Sequence, residues 1–163
     1  MNKILFSEQQ KSKSGAWIFF GLHLLCTPFM VIVKDSEATL ALMIVSGLFV
    51  ALAALFWMMR LDTEMNREGV SIKFAPFHRS FRQYLWKDVS KAVVLKHSLG
   101  KTGGWGVKYK FQSHNYQKIY SVWGNKYLRI QLNSGRTILI GTQRDMEMEA
   151  ALNKVMKLNN NEY

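Results

Sequence analysis

Two long apolar runs dominate the first third of the chain. Gly15 to Val33 and Thr39 to Met59 span 19 and 21 residues, and the second contains no Asp, Glu, Lys, Arg or His. As helices they would reach about 28 and 31 Å, close to the hydrocarbon thickness of a bilayer. Both are therefore predicted to be transmembrane helices. A cleaved signal peptide does not suit the first, which is long, lacks a small-x-small site at its end and is followed at once by the second. Lys34 to Ala38 joins them. Five residues force a tight antiparallel hairpin, with Asp35 or Ser36 available to cap the second helix.

After Arg60 the pattern changes to short runs that alternate apolar with polar residues, separated by polar or glycine turns. Gly69–Phe74, Phe81–Trp86, Ala92–Leu95, Trp105–Phe111, Ile119–Trp123, Tyr127–Leu132 and Thr137–Ile140 read as seven strands. Asn133-Ser134-Gly135 reads as a hairpin turn, and Gly124-Asn125 as a similar one. Thr142-x-x-Asp145 then resembles a capping box. Met148, Leu152, Val155 and Met156 follow at helical spacing in a helix expected to run to about Leu158. The predicted class is α+β. Residues 1–60 form a cytoplasmic lead-in with two spans, and residues 61–163 a small barrel or sandwich of about seven strands closed by one C-terminal helix. Trp105, Leu132, Ile138, Ile140 and Leu152 are its expected core.

Charge fixes the expected orientation. Lys3, Lys11 and Lys13 precede the first span and Arg60 and Arg67 follow the second, whereas the loop holds one Lys against two acids. By the positive-inside rule both termini are cytoplasmic, in the inner membrane. Trp17 and Trp57 mark the cytoplasmic ends of the spans, where indole rings favour the headgroup region. Within the spans, Gly47 and Ala51 could permit close helix approach. His23 is expected to bond a backbone carbonyl or the partner helix, with an intramembrane role as the alternative. Cys26 is read as an apolar filler.

The composition argues against several classes. One cysteine excludes an intramolecular disulfide, and four scattered histidines give no zinc spacing. There is no phosphate loop, dinucleotide fingerprint, His-Glu-x-x-His or Gly-x-Ser-x-Gly. Ser80 and His78 lie near each other without an orienting third group, and Asp88 suits a turn better than acid–base work. No catalytic residue, cofactor or metal is expected. From Lys73 to Arg136 thirteen Lys and Arg stand against Asp88 alone, a local net charge of +12. A cytoplasmic leaflet bearing anionic lipid attracts basic groups by about 1 kcal/mol each. Lys73, Arg79, Arg82, Lys101, Lys108 and Lys110 are the candidate lipid-binding residues. The alternative is an accessory or scaffold subunit that binds another membrane protein. Aromatic and basic residues interleave from Lys108 to Phe111, as in single-strand binders, but membrane tethering makes nucleic acid a poor partner.

Several segments carry a family likeness. Gly103-Gly104-Trp105-Gly106-Val107, then Tyr120 to Asn125, then Ile130 to Gln143 with Gly135, Gly141 and Thr142, resemble the signature of bacterial membrane-anchored PH-like (pleckstrin-homology-like) proteins. Glu8-x-Gln10 resembles that family's lead-in. Phe111 to Lys118 departs from it, with Gln-Ser-His-Asn-Tyr-Gln in place of a shorter basic turn. The resemblance implies a PH-like barrel behind two spans and says little about function. Gly104, Trp105, Gly106, Gly124, Asn125, Gly135, Gly141 and Thr142 are its structural positions. These glycines would free the backbone for bends, and Trp105 would plug the barrel.

Overall fold

The computed structural model describes residues 3–33, 35–96, 106–112, 115–122 and 124–160. Lys101, Gly103, Gly104, Trp105 and Trp123 lie outside them. The chain divides into two compact units, Lys11–Met59 and a second formed by Met1–Gln10 together with Arg60–Tyr163.

The first unit is a pair of helices, α1 (Lys13–Ile32) and α2 (Ser36–Met58). The connection is shorter than the five residues expected, because Asp35 caps α2 and its Oδ1 accepts the Glu37 N–H at 3.2 Å. The helices meet at Gly15, where any Cβ would strike the Phe56 ring, and at the Phe19–Phe56 ring pair 5.1 Å apart. Trp17 and Trp57 pack edge to face at 6.3 Å, with the Lys13 Nζ 5.9 Å from the Trp57 ring centre. Gly47 is not a contact point, since nothing within 4 Å would meet a Cβ there. His23 Nδ1 lies 2.7 Å from Ser46 Oγ, the bond to the partner helix that the sequence suggests. Gly15 and Ala16 are the buried residues of α1, and Ser46 is the buried residue of α2. Both helices are long and apolar enough to cross a membrane.

The second unit holds two sheets and a C-terminal helix. The first sheet has the order β1 (Phe6–Lys11), β2 (Arg60–Met65), β3 (Gly69–Ala75), β4 (Arg82–Leu85). Strand β1 corrects the sequence reading. Residues 1–10, assigned there to a lead-in before the spans, belong with the sheets, and Leu5 N–H donates to Met65 C=O at 2.8 Å. Strand β2 was also unforeseen, so among the described residues the strands number nine against about seven predicted, and there the two sheets do not close into a barrel. The inward row of β1 is Phe6, Glu8 and Gln10; that of β2 is Leu61, Thr63 and Met65; that of β3 is Val70, Ile72 and Phe74. Asn66 Oδ1 accepts the Glu68 and Gly69 N–H groups to make the β2–β3 turn. A Cβ at Gly69 would collide with the Tyr84 carbonyl, so β3 and β4 can only approach here over glycine.

A 3₁₀ turn, Trp86–Asp88, leads to the second sheet. Trp86 is buried and its indole N–H donates to Asn66 C=O at 3.0 Å. Asp88 lies in this turn, where its carbonyl accepts the Asn133 N–H at 2.9 Å. The five strands lie in the order β5 (Val89–Lys96), β8 (Lys126–Leu132), β9 (Thr137–Thr142), β7 (Asn115–Ser121), β6 (Gly106–Gln112). Gly135, at φ 80°, makes the β8–β9 hairpin as expected. The turn at Gly124-Asn125 is not a hairpin turn, because β9 lies between β7 and β8 and runs parallel to β7.

Helix α3 (Asp145–Asn160) packs on β5 and β8. Its buried row is Met148, Ala151, Leu152 and Val155. Of the expected core, Ile138, Ile140 and Leu152 are buried and Leu132 is half-buried. Leu139 points to the other face of the sheet, into a separate cluster with Ile119 and Tyr127. Leu152→Ala should lower the unfolding free energy by about 2 to 5 kcal/mol, the usual cost of emptying a buried leucine site. Denaturant melts of the full chain in detergent would measure it.

Candidate functional site

Of the six candidate lipid-binding residues, Lys101 lies outside the described residues, and register decides where the four on strands fall. Ile72 pairs with Arg82, so Arg82 stands on the inward face of the first sheet at its β4 edge. Lys73 pairs with Asp62 on the opposite face, its Nζ 5.8 Å from the Phe81 ring centre. Arg79 is exposed in the β3–β4 connection. Lys108 and Lys110 pair with Ile119 and Gln117 on one face of the second sheet. These residues do not converge, and Lys73 and Arg82 point to opposite faces of one sheet. The same alternation splits the Lys108 to Phe111 run, lysines on one face of β6 and aromatics on the other.

Two groupings emerge that the sequence did not single out as sites. The first ties β1 to the start of α3. Glu8 is buried, its Oε2 accepting from Thr142 Oγ1 at 2.7 Å and its Oε1 from the Gln143 N–H at 2.8 Å. Gln10 donates to the Gly141 carbonyl at 2.7 Å. Thr142 Oγ1 in turn accepts the Arg144 N–H at 3.1 Å, in place of the expected four-residue capping box. The Glu8-x-Gln10 and Gly141-Thr142-Gln143 segments, 131 or more residues apart, are thus partners in one hydrogen-bonded joint. Lys126 closes it from β8 by pairing with Asp145, which holds that carboxyl below its ordinary range.

The second grouping lies on β6 and β7, where Arg82 and Tyr84 of β4 are near enough to act on its phenols. Tyr109 pairs with Lys118, Phe111 with Tyr116 and Val107 with Tyr120, so these six side chains share a face. Lys118 is only 7% exposed, and its Nζ lies 4.9 Å from the ring centres of both Tyr109 and Tyr120. Tyr109 and Tyr116 pack at 5.5 Å, and Phe111 lies edge-on to Tyr116 at 5.4 Å. The His78 ring stands 5.6 Å from that of Tyr120. Tyr120 is fully buried, and neither its hydroxyl nor His78 Nδ1 makes a hydrogen bond within 3.5 Å. Burial, then the neighbouring Tyr84 hydroxyl, push the Tyr120 phenol far up. A hydrogen bond from Lys118 pulls the Tyr109 phenol down.

Burial, then the Arg82 and Lys118 charges, hold His78 below its ordinary 6.5. The folded state therefore binds fewer protons than the unfolded chain between that lowered value and 6.5. Stability should rise with pH through this window, stay level above it, and lose that slope in His78→Gln. Denaturant melts at several pH values between about 5 and about 7.5 would show it.

Among the described residues no three His, Cys, Asp or Glu side chains group as a metal site would require. Gly106 and Gly124, two of the signature positions, have φ 109° and 105°. Comparison with protein-family models, curated proteins and solved structures finds no match. What fold and site define is an α+β protein in which two helices of membrane-crossing length are inserted between the first two strands of a two-sheet unit.

Proposed function

We propose that this chain is a membrane-anchored, non-catalytic, PH-like module whose two-sheet unit contacts anionic lipid of the inner leaflet. Helices α1 and α2 cross the bilayer as a hairpin, with both chain ends cytoplasmic. The observation that carries this reading is the outward apolar surface of the helices. Trp17, Leu25, Val31, Ile32, Leu40 and Ile44 are 60 to 84% exposed, a surface that suits lipid and would be costly in water. Because one helix follows β1 and the other precedes β2, the chain itself keeps the basic two-sheet unit near the membrane, where surface potential acts over about 8 Å.

Among the described residues the ion pairs are Arg60–Asp62, Lys126–Asp145 and Arg144–Glu147. Lys73, Arg79 and Arg82 take part in none of them, which leaves their charge for an outside anion. The test is amide hydrogen exchange of the full chain in nanodiscs of phosphatidylglycerol or phosphatidylcholine. Added protection in the two-sheet unit with phosphatidylglycerol, lost at high salt, is the expected result. Identical exchange in both lipids would favour a scaffold subunit that binds another membrane protein.

A further inference from the structure

Among the described residues the Lys118 site has a cation, bonded to the Tyr109 phenol, and no carboxylate. A lysine with this degree of burial ordinarily has an anionic partner, because removing the ammonium from water is costly. Two tyrosine faces offset part of that cost, but a ring quadrupole does not neutralise the charge. The charged groups acting on the surrounding phenols and on His78 are Arg82, Lys118 and Arg136, with no carboxylate among them. Two further polar atoms, Tyr120 Oη and His78 Nδ1, are buried there with no hydrogen bond within 3.5 Å, although the Tyr84 hydroxyl neighbours the first. Among the described residues Gln10, Ser12 and Thr63 also carry such atoms; the pair on Tyr120 and His78 differs in lying beside a buried cation that a ligand could share with them.

We propose that the open seam between β4 and the β6–β7 hairpin binds a phosphate group, with Lys118 and Arg82 supplying charge and Tyr120 and His78 supplying hydrogen bonds. Phosphate suits the seam because it accepts several hydrogen bonds at once and carries the charge that two cations require. Arg82, exposed at the strand edge, supplies the planar fork that phosphate favours. Tyr109 and Phe111, 53% and 81% exposed, extend the site as an apolar rim fitted to the glycerol and chain of a phospholipid. In naming a lipid as the source, the proposal rests on the membrane-contact reading above; the phosphate site itself does not.

The test uses the full chain, with ¹³C-labelled tyrosine rings, in an uncharged maltoside detergent. It is titrated with dihexanoyl-phosphatidylglycerol, with inorganic phosphate, and with sodium chloride at matched ionic strength. The short-chain lipid should shift the Tyr120 and Tyr109 ring resonances saturably, whereas chloride should not. Arg82→Gln should weaken binding about tenfold, the scale of one charge-assisted bond. Tyr120→Phe, which removes only the hydroxyl, should weaken it about threefold to tenfold. Lys110→Gln, on the other face of β6, should change it by less than about twofold. Lys118→Met should abolish the shifts, provided its melting matches that of the parent chain.

If inorganic phosphate binds as well as the lipid and Arg82→Gln weakens both, the site stands and its ligand is a free phosphate. The lipid reading then fails. If the lipid binds but Arg82→Gln and Tyr120→Phe have no effect, the seam proposal is overturned and contact through the wider basic surface survives. If neither ligand moves the tyrosine resonances, the seam is not a phosphate site.

Discussion

Deletion of residues 2–10 should abolish cooperative unfolding of the two-sheet unit, although these residues precede the helices and look dispensable in the sequence. The deletion removes strand β1, and with it the buried Phe6 ring, for which truncation typically costs about 3 to 5 kcal/mol. It also strips Glu8 from the Thr142 hydroxyl and the Gln143 N–H, and Gln10 from the Gly141 carbonyl. Each buried group left unpaired costs about 1 to 3 kcal/mol. The sum is comparable with the whole stability of an ordinary domain, about 5 to 15 kcal/mol. Strand β2 would become a bare edge, open to pairing with other chains. Thermal melts of the full and shortened chains in detergent, followed by near-ultraviolet dichroism of the buried Trp86, would show the transition lost. A shortened chain that melts cooperatively at the parent temperature would refute the joint between β1 and α3.

Truncation after Thr142 should have a similar effect from the other end. Helix α3 buries Met148, Leu152 and Val155, each 5% exposed or less. At about 1.5 to 3 kcal/mol per buried side chain, their loss again approaches the stability of a domain. The same cut removes the Asp145 partner of Lys126 and the Gln143 N–H that Glu8 holds. The truncated chain should expose its sheets to amide exchange while α1 and α2 remain protected in detergent. Sheet protection equal to that of the parent would show that α3 is not needed to cover the core.

The contrast between β1 and the seven strands foreseen shows what a sequence discloses. In β3 the inward row is Val70, Ile72 and Phe74 and in β8 the buried residues Leu128 and Ile130 alternate with Arg129, so a period of two is visible in residue type. In β1 the inward row is Phe6, Glu8 and Gln10. Its polar members are buried only because Gly141, Thr142 and Gln143 satisfy them from far along the chain. No local pattern reports such a partner. Strand β2 was hidden differently: it begins at Arg60, directly after the apolar run, with Thr63 between Leu61 and Met65 on its inward row. The Glu8-x-Gln10 and Gly141 to Gln143 segments were visible in the sequence, but that they bond to one another was not.

Composition disclosed a run of positive charge and not where the fold places it. Thirteen cations lie in one stretch, yet strand alternation sends Lys73 and Arg82 to opposite faces and separates Lys108 and Lys110 from Tyr109 and Phe111. The alternation Tyr116-x-Lys118-x-Tyr120 was the available signal. A lysine placed between two tyrosines on one row of a strand is a cation set among aromatic rings, and only the fold shows that β4 brings Arg82 and Tyr84 to the same edge.

Contact of the two-sheet unit with the inner leaflet depends on α1 and α2 crossing the membrane as a hairpin. Single cysteines introduced in a Cys26→Ser background would test it directly, one as Ser36→Cys at the start of α2 and one as Arg67→Cys in the β2–β3 turn. With a membrane-impermeant thiol reagent and intact cells, Ser36→Cys should label at once and Arg67→Cys only after the membrane is broken. Labelling of both in intact cells, or of neither until lysis, would contradict a hairpin that spans the bilayer with its two-sheet unit inside.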